Sequence, residues 1–262
     1  MDIEPIIRRF SRASKSYDDH AVIQRVAAAN LIERTRDAVA SAGIEPSRIL
    51  DAGCGTGLYT ALLANEYPRA TVTAVDPSTA MLDVARTRPF ASSVDFRHAS
   101  SLGDGDTYDL ISSNAALHWS PNLAASLAEL RIRLRPHGLL TCALFGPQTY
   151  RELSTAMETA VGRPVRLPAS RFPDRVTLHD HLARLFAAAT VAQVEYTQRF
   201  ETLRDLLTAI KKSGVRGDGE SPALSWTRGL IDRIEEAYRS HFGEIVATHQ
   251  ILIGTAQGEQ AL

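Results

Sequence analysis

Ile49-Leu50-Asp51-Ala52-Gly53-Cys54-Gly55-Thr56-Gly57 sets three glycines at alternate positions directly behind a short apolar run. Residues 48–52 read as a buried strand and 58–67 as the helix after it, so the glycines occupy a strand-to-helix turn. Glycine there permits a tight turn and close approach of a ligand to the backbone. A dinucleotide fingerprint needs its third glycine one residue later, at Leu58, to hold a pyrophosphate on the helix N-terminus. The spacing departs from that pattern. Taken alone, the triplet is equally the turn of any strand–turn–helix unit, and the surrounding chain has to decide.

Working outward, 71–75 is a second β-rich run, 78–87 a helix capped by Ser78 or Asp76, 94–97 a third strand and 108–112 a fourth. A helix over 123–134 stops at Pro136–Gly138, and 139–145 continues as a fifth strand. This alternation predicts an α/β fold, a doubly wound Rossmann-like parallel sheet. Residues 1–45 form a helical lead-in. Residues 146–190 hold two helical stretches around a Pro- and Arg-rich centre at 163–175, which we read as an insertion and a lid. Strand character resumes at 191–200, followed by helices at 203–212 and 225–241 and a strand at 245–255. A length of 262 residues with 44% apolar composition suits one domain over 1–262.

The 29 basic and 30 acidic residues nearly cancel, so the broad positive field of a non-specific nucleic-acid binder is missing. Cys54 and Cys142 make neither a disulfide framework nor the Cys/His cluster of a zinc site, and no metal is expected. No run reaches the roughly 18 apolar residues of a membrane span, and residues 1–10 lack an unbroken apolar core. A soluble, unprocessed, cytoplasmic protein is expected.

Asp76 ends the second strand about 20 residues beyond the glycines, where an acid accepts from both hydroxyls of a ribose. Together with Pro77-Ser78-Thr79-Ala80-Met81-Leu82, the pattern resembles the class I S-adenosylmethionine-dependent methyltransferases. That resemblance implies S-adenosylmethionine as cofactor. It turns Met81 toward the adenine face, with ordinary helix core as the other reading. It sets Asp51 near the methionine end, with an N-cap role as the alternative. Asp109 to Asn114 is placed at the end of the fourth strand, so that Asn114 and Ala115-Ala116-Leu117-His118-Trp119 line the methyl-transfer edge. After the third strand such proteins carry an aspartate for the adenine amino group. Here His98 stands nearest that place, either as its substitute or as a surface residue.

A narrower resemblance runs through most of the chain, to the malonyl-acyl-carrier-protein O-methyltransferases of biotin synthesis. Residues 10–25, with Tyr17 and the Gln24-Arg25 pair, match that family's lead-in, and Ser113 to Trp119 is similar except that His118 stands where Gln is commoner. Glu152-Leu153 and Ser170-Arg171-Phe172 resemble its lid, 206–215 its late helix and glycine turn, and 248–254 its closing strand. The resemblance implies a seven-stranded methyltransferase sheet with a helical lid, and a malonyl thioester on acyl carrier protein as partner and substrate. A malonyl carboxylate is already ionised near neutral pH, so alignment and drying replace a general base.

An arginine fork suits the substrate carboxylate, and Arg171 is the candidate, against a solvated cluster of Arg163, Arg166, Arg171 and Arg175. Tyr17 and Gln24 are expected to reach over the cofactor, Tyr17 as a donor or as half-buried core, with Trp119 and His118 shaping the pocket. The carrier is acidic, and Lys211, Lys212 and Arg216, or Arg131, Arg133 and Arg135, are candidates to attract it. Two rivals remain: a methyltransferase for a small acid such as trans-aconitate, and a cofactor-binding regulator without catalysis.

Overall fold

The structure, a computed structural model, describes residues 3–212 and 226–258. Its sheet grows outward from β1 (Arg48–Ala52), whose Ile49 and Leu50 are wholly buried. On one side lie β2 (Thr71–Asp76) and β3 (Val94–His98), on the other β4 (Tyr108–Asn114) and β5 (Leu134–Phe145), all parallel. β6 (Ala188–Phe200) and β7 (Ile245–Gln257) form a long antiparallel pair, and β7 inserts antiparallel beside β5. The order among the described residues is β3-β2-β1-β4-β5-β7-β6. Strand order reverses between β1 and β4, which opens a crevice beyond their carboxyl ends.

The lead-in consists of α1 (Glu4–Ala13), α2 (Tyr17–His20) and α3 (Val22–Ala42). In α3, Ile23, Ala27, Leu31 and Thr35 recur every four residues, and this face is buried. α4 (Leu58–Glu66) packs beside it. A buried hydroxyl chain ties these layers together: Thr35 to Thr141 at 2.9 Å, Thr141 to Ser112 at 2.8 Å, and Ser112 to Tyr59 at 2.8 Å. The remaining helices are α5 (Thr79–Ala85), α6 (Leu123–Ile132), α7 (Arg151–Val161), α8 (Arg175–Leu185), α9 (Leu203–Lys212) and α10 (Arg228–Phe242).

Three expectations change in detail. α6 ends two residues early, and Pro136–Gly138 lies inside β5, because Tyr108 pairs with Leu134 while Leu110 already pairs with Leu139. Proline cannot donate to the ladder, so the strand loops out there. Asp109 sits at the start of β4, away from the crevice. It accepts from Ser47 N–H and Arg48 N–H, both at 2.9 Å, and pairs with Arg135 at 2.9 Å, which anchors the entry of β1. Burial alone raises the pKa of Asp109, but these donors outweigh it and hold the carboxyl below its ordinary value.

Within 146–190 both helices are packed into the body of the fold. α7 lies against α10 and β7, while α8 lies against α6, β6 and β7 with Leu178 and Leu182 wholly buried. α8 is thus the crossover helix from β5 to β6, and the segment between α7 and α8 packs Phe172 against Trp119. Among the described residues no helix is long and apolar enough to cross a membrane. Leu182→Ala is expected to cost about 2–5 kcal/mol of unfolding free energy in urea titration, the usual range for a core leucine. A peripheral lid helix predicts an unchanged midpoint instead.

Candidate active site

Backbone geometry at the glycine turn fixes the site. Gly53 and Gly55 adopt φ of +82° and +54°, which side-chain-bearing residues rarely adopt. Gly53 N–H and Cys54 N–H both donate to Val75 C=O, at 2.8 and 2.9 Å, which binds the turn to the end of β2. A Cβ on Gly53 would lie 2.3 Å from Ala116 Cβ, whereas one on Gly55 would meet nothing within 4 Å. The carboxylate of Asp76 joins both sides, accepting from Gly55 N–H at 2.9 Å and from Ser78 N–H at 2.8 Å. Ser78 caps α5 by accepting from Met81 N–H at 3.3 Å. Burial raises the pKa of Asp76, and the two backbone donors oppose the rise.

These elements enclose a cavity of about 420 Å³. Gly53, Gly55, Asp76 and Met81 line it from the turn and α5; Tyr17, Gln24, Asn114 and Trp119 line it from the lead-in and the end of β4. Other expected residues stand elsewhere. Gly57 is the N-cap of α4, and Asp51 is wholly buried behind the turn. His98 is exposed at the end of β3, where Nδ1 accepts from Ser100 N–H at 3.3 Å and Nε2 bonds to Pro77 C=O at 3.0 Å. Ala99 and Leu102, just beyond it, form the wall there. Arg171 is exposed and lies outside the lining, although its neighbour Phe172 is buried.

Beside the cavity, Gln24 Oε1, Asp51 Oδ1 and Asn114 Oδ1 are buried without a hydrogen-bond partner among the described residues. Leaving such an acceptor unmatched costs about 1–3 kcal/mol. Burial pushes the Asp51 carboxyl up to about 7, opposed by the Thr60 hydroxyl donating at 2.6 Å and assisted by the charge of Asp76. Three oxygens short of donors fit a ligand whose end carries N–H groups and positive charge. The open space at Gly55, the ribose-competent Asp76 and the apolar side chains of Met81 and Leu117 in the lining fit the rest of S-adenosylmethionine.

An aromatic wall closes the other side. Phe10 meets Tyr17 and Trp119 edge-on, with centroids 6.2 and 5.8 Å apart, and Phe172 meets Trp119 at 5.1 Å. His118 lies behind it, 4.6 Å from Phe172, with Nδ1 accepting from Phe145 N–H at 3.4 Å. Burial lowers its pKa to about 3, so it stays neutral. Sequence reasoning missed the roof. Ile3, Ile6, Ile7 and Phe10 line the cavity from α1 and its N-cap, a stripe at helical spacing visible in the sequence. Two fastenings hold that roof: Ser11 Oγ to Ser78 Oγ at 2.7 Å, and Asp18, which accepts from Thr56 Oγ1 at 2.6 Å and pairs with Arg88.

The candidate carrier-binding arginines on and after α6 are occupied. Arg131 donates to Leu185 C=O, Arg133 to Gly103 C=O, and Arg135 pairs with Asp109. Lys211 and Lys212 are exposed on the last turn of α9; Arg216 lies outside the described residues.

Known proteins similar to this chain share its family and its fold. A family described as a methyltransferase domain matches residues 49–138. A malonyl-acyl-carrier-protein O-methyltransferase of Bacillus cytotoxicus is 31% identical, covering 96% of this chain and 90% of the relative. One of Halorhodospira halophila is 33% identical, covering 98% and 88%. Among solved structures, the YcgJ protein of Bacillus subtilis superposes with a TM-score of 0.56 at 16% identity, covering 82% of this chain and 93% of that one. The plantazolicin methyltransferase BpumL, solved in complex with SAH, gives 0.55 at 10% identity over 98% of each chain.

Gly55→Val forces a β-branched residue into positive φ and fills the open cradle, and Asp76→Ala removes the joint between turn and α5. Calorimetry should find S-adenosylmethionine bound at least tenfold more weakly by each, about 1.4 kcal/mol or more. Unchanged affinity in both places the ligand elsewhere.

Proposed function

The chain belongs to the malonyl-acyl-carrier-protein O-methyltransferase family, and on that footing we propose that it transfers a methyl group from S-adenosylmethionine to the free carboxylate of a malonyl thioester on acyl carrier protein. Esterification masks the charge, so that fatty-acid synthesis can take the unit as an apolar primer for biotin, in the cytoplasm. The observation that carries this reading is the pairing of unmatched buried acceptors with an aromatic wall across one cavity. One side answers a cation; the other excludes water from a carboxylate.

The cofactor supplies an electrophilic methyl on a sulfonium. The chain's own work is to hold and to dry. Gly53, Gly55 and Gly57 shape the turn, Asp76 takes the ribose hydroxyls, Met81 packs against adenine, and Gln24 and Asn114 face the methionine end with Asp51 buried behind the turn. His98 serves the adenine side by fixing Pro77 and the turn after β3. On the acceptor side we assign Tyr17, Trp119 and Arg171. Burial, then the charges of Asp76 and Asp18, raise the Tyr17 pKa against the pull of Arg25, so its phenol stays a donor. No base is needed, because the malonyl carboxylate is ionised near neutral pH. Opposite charges neutralise as the bond forms, so a dry wall favours the reaction. Arg171 adjoins that wall through Phe172 and is assigned to the carboxylate. The layout we adopt is one domain over 1–262, with a lead-in at 1–45 and an inserted segment at 146–190.

A transfer assay with purified malonyl carrier protein tests the reaction. Carrier is methylated in preference to free dicarboxylic acids; equal or better turnover of trans-aconitate overturns the substrate. Arg171→Ala should leave cofactor affinity intact and lower kcat/KM by about 2–4 kcal/mol, with Arg171→Lys recovering part, since lysine offers no paired fork. Wild-type efficiency in Arg171→Ala removes that assignment.

Asp51 sets a pH dependence. Its carboxyl titrates near 7 in the cofactor-free protein, and a neighbouring cation favours the ionised form, lowering that pKa on binding. Between the two values binding releases a proton, so affinity rises with pH and levels off above about 7. Calorimetry at pH 6.5 in buffers of different ionisation enthalpy should register this release in wild type and none in Asp51→Asn. Equal release in both variants refutes the role.

A further inference from the structure

α1 has two opposed faces. Ile6, Ile7 and Phe10 turn inward and line the cavity, while Arg8 and Arg12, one turn apart, are exposed on the opposite side, with exposed Lys15 just past the helix end. None of these three cations makes an ion pair or hydrogen bond among the described residues. Several other surface arginines are neutralised, Arg36 by Glu66, Arg97 by Asp95, Arg151 by Glu195 and Arg199 by Glu244. Of the nearby acids, Glu4 stands one turn before Arg8 and Asp19 is exposed on α2, while Asp18 is already spent on Thr56 and Arg88. A net charge of −1 therefore hides a local positive stripe directly over the cofactor cavity.

We propose that the outward face of α1, carried by Arg8, Arg12 and Lys15, is the docking surface for the acidic acyl carrier protein. The proposal rests on the carrier substrate argued above and adds where the carrier lands. Charge complementarity selects an acidic partner, and the position puts it beside the mouth of the cavity that its thioester must enter. α1 is seated on the cofactor turns through Ser11 on Ser78, and α2, which follows it, through Asp18 on Thr56. Carrier docking and cofactor binding therefore strengthen one another, by the same factor in each direction.

Fluorescence anisotropy with labelled malonyl carrier protein measures docking without turnover, and malonyl-pantetheine reports chemistry without a carrier. In Arg8→Glu/Arg12→Glu/Lys15→Glu the carrier should bind at least tenfold more weakly at low salt, with a flattened salt dependence, because three rim charges are reversed. Turnover of malonyl-pantetheine and the KM for S-adenosylmethionine should stay at wild-type values. Added SAH should tighten carrier binding to wild type. Unchanged carrier affinity overturns the proposal, as does an equal loss with malonyl-pantetheine, which would mean damage to the roof. A larger loss in Lys211→Glu/Lys212→Glu moves the docking site to α9 and overturns it too. Wild type that binds the carrier without methylating it refutes the substrate reading and leaves the docking surface standing.

Discussion

The carboxylate of Asp76 is the joint on which the cleft depends. It is nine-tenths buried at the end of β2, and its two oxygens take the N–H of Gly55 on one side and of Ser78 on the other. Those bonds fix the glycine turn and the first turn of α5 at one separation. Val75 C=O, holding Gly53 and Cys54, fixes the remaining degree of freedom. A buried carboxylate is costly unless donors meet it, and here the donors are the backbone groups that a ligand must approach. The electrostatic need of one side chain thereby becomes the shape of the site.

Much of the fold could be read from the chain because its signals are local. Buried strands, caps and glycines recur over 48–145 at the spacing of a parallel α/β unit, and those strands form where that spacing sets them. Local signals say nothing of which strand lies beside which. β7 is buried along nearly its whole length and belongs between β5 and β6, yet in the sequence it reads only as the last strand. Position along a strand is equally hidden. Asp109 and Asn114 share β4 but stand at opposite ends of it, so one anchors Ser47 and Arg48 while the other faces the cavity. α8 looked like a lid by its place after β5, and only the packing of Leu178 and Leu182 against β6 and β7 makes it scaffold.

In the site the same division holds. Gly53 and Gly55 were singled out by turn chemistry, Asp76 by its spacing from them and Met81 by the family resemblance, and all four line the cavity. The roof was not, although Ile3, Ile6, Ile7 and Phe10 form a plain stripe, because a stripe does not say what it covers. Ser11 meets Ser78 across 67 positions of sequence and Asp18 meets Thr56 across 38. His98 stands at the expected place after the third strand, but which of its two readings holds was not written there: its ring turns out to Pro77, and Ala99 and Leu102 form the wall.

Stiffness is distributed to match. α3 buries its face against the sheet and joins the hydroxyl chain through Thr35, so it cannot leave without unmaking the core. α1 is ten residues long, and Ile6 is its one wholly buried residue among those described. A helix of that length is marginal on its own and owes its order to what it rests on. It rests on an apolar cavity edge and on the Ser11–Ser78 bond, while Asp18 of α2 just beyond it is fastened to Thr56 and Arg88, all of these bonds exchangeable with water. Opening it exposes little core, whereas opening any helix that crosses over the sheet exposes much. Opening α1 is therefore cheaper than opening a helix that crosses over the sheet, and it uncovers the cavity, which a cofactor site that must empty after each reaction needs.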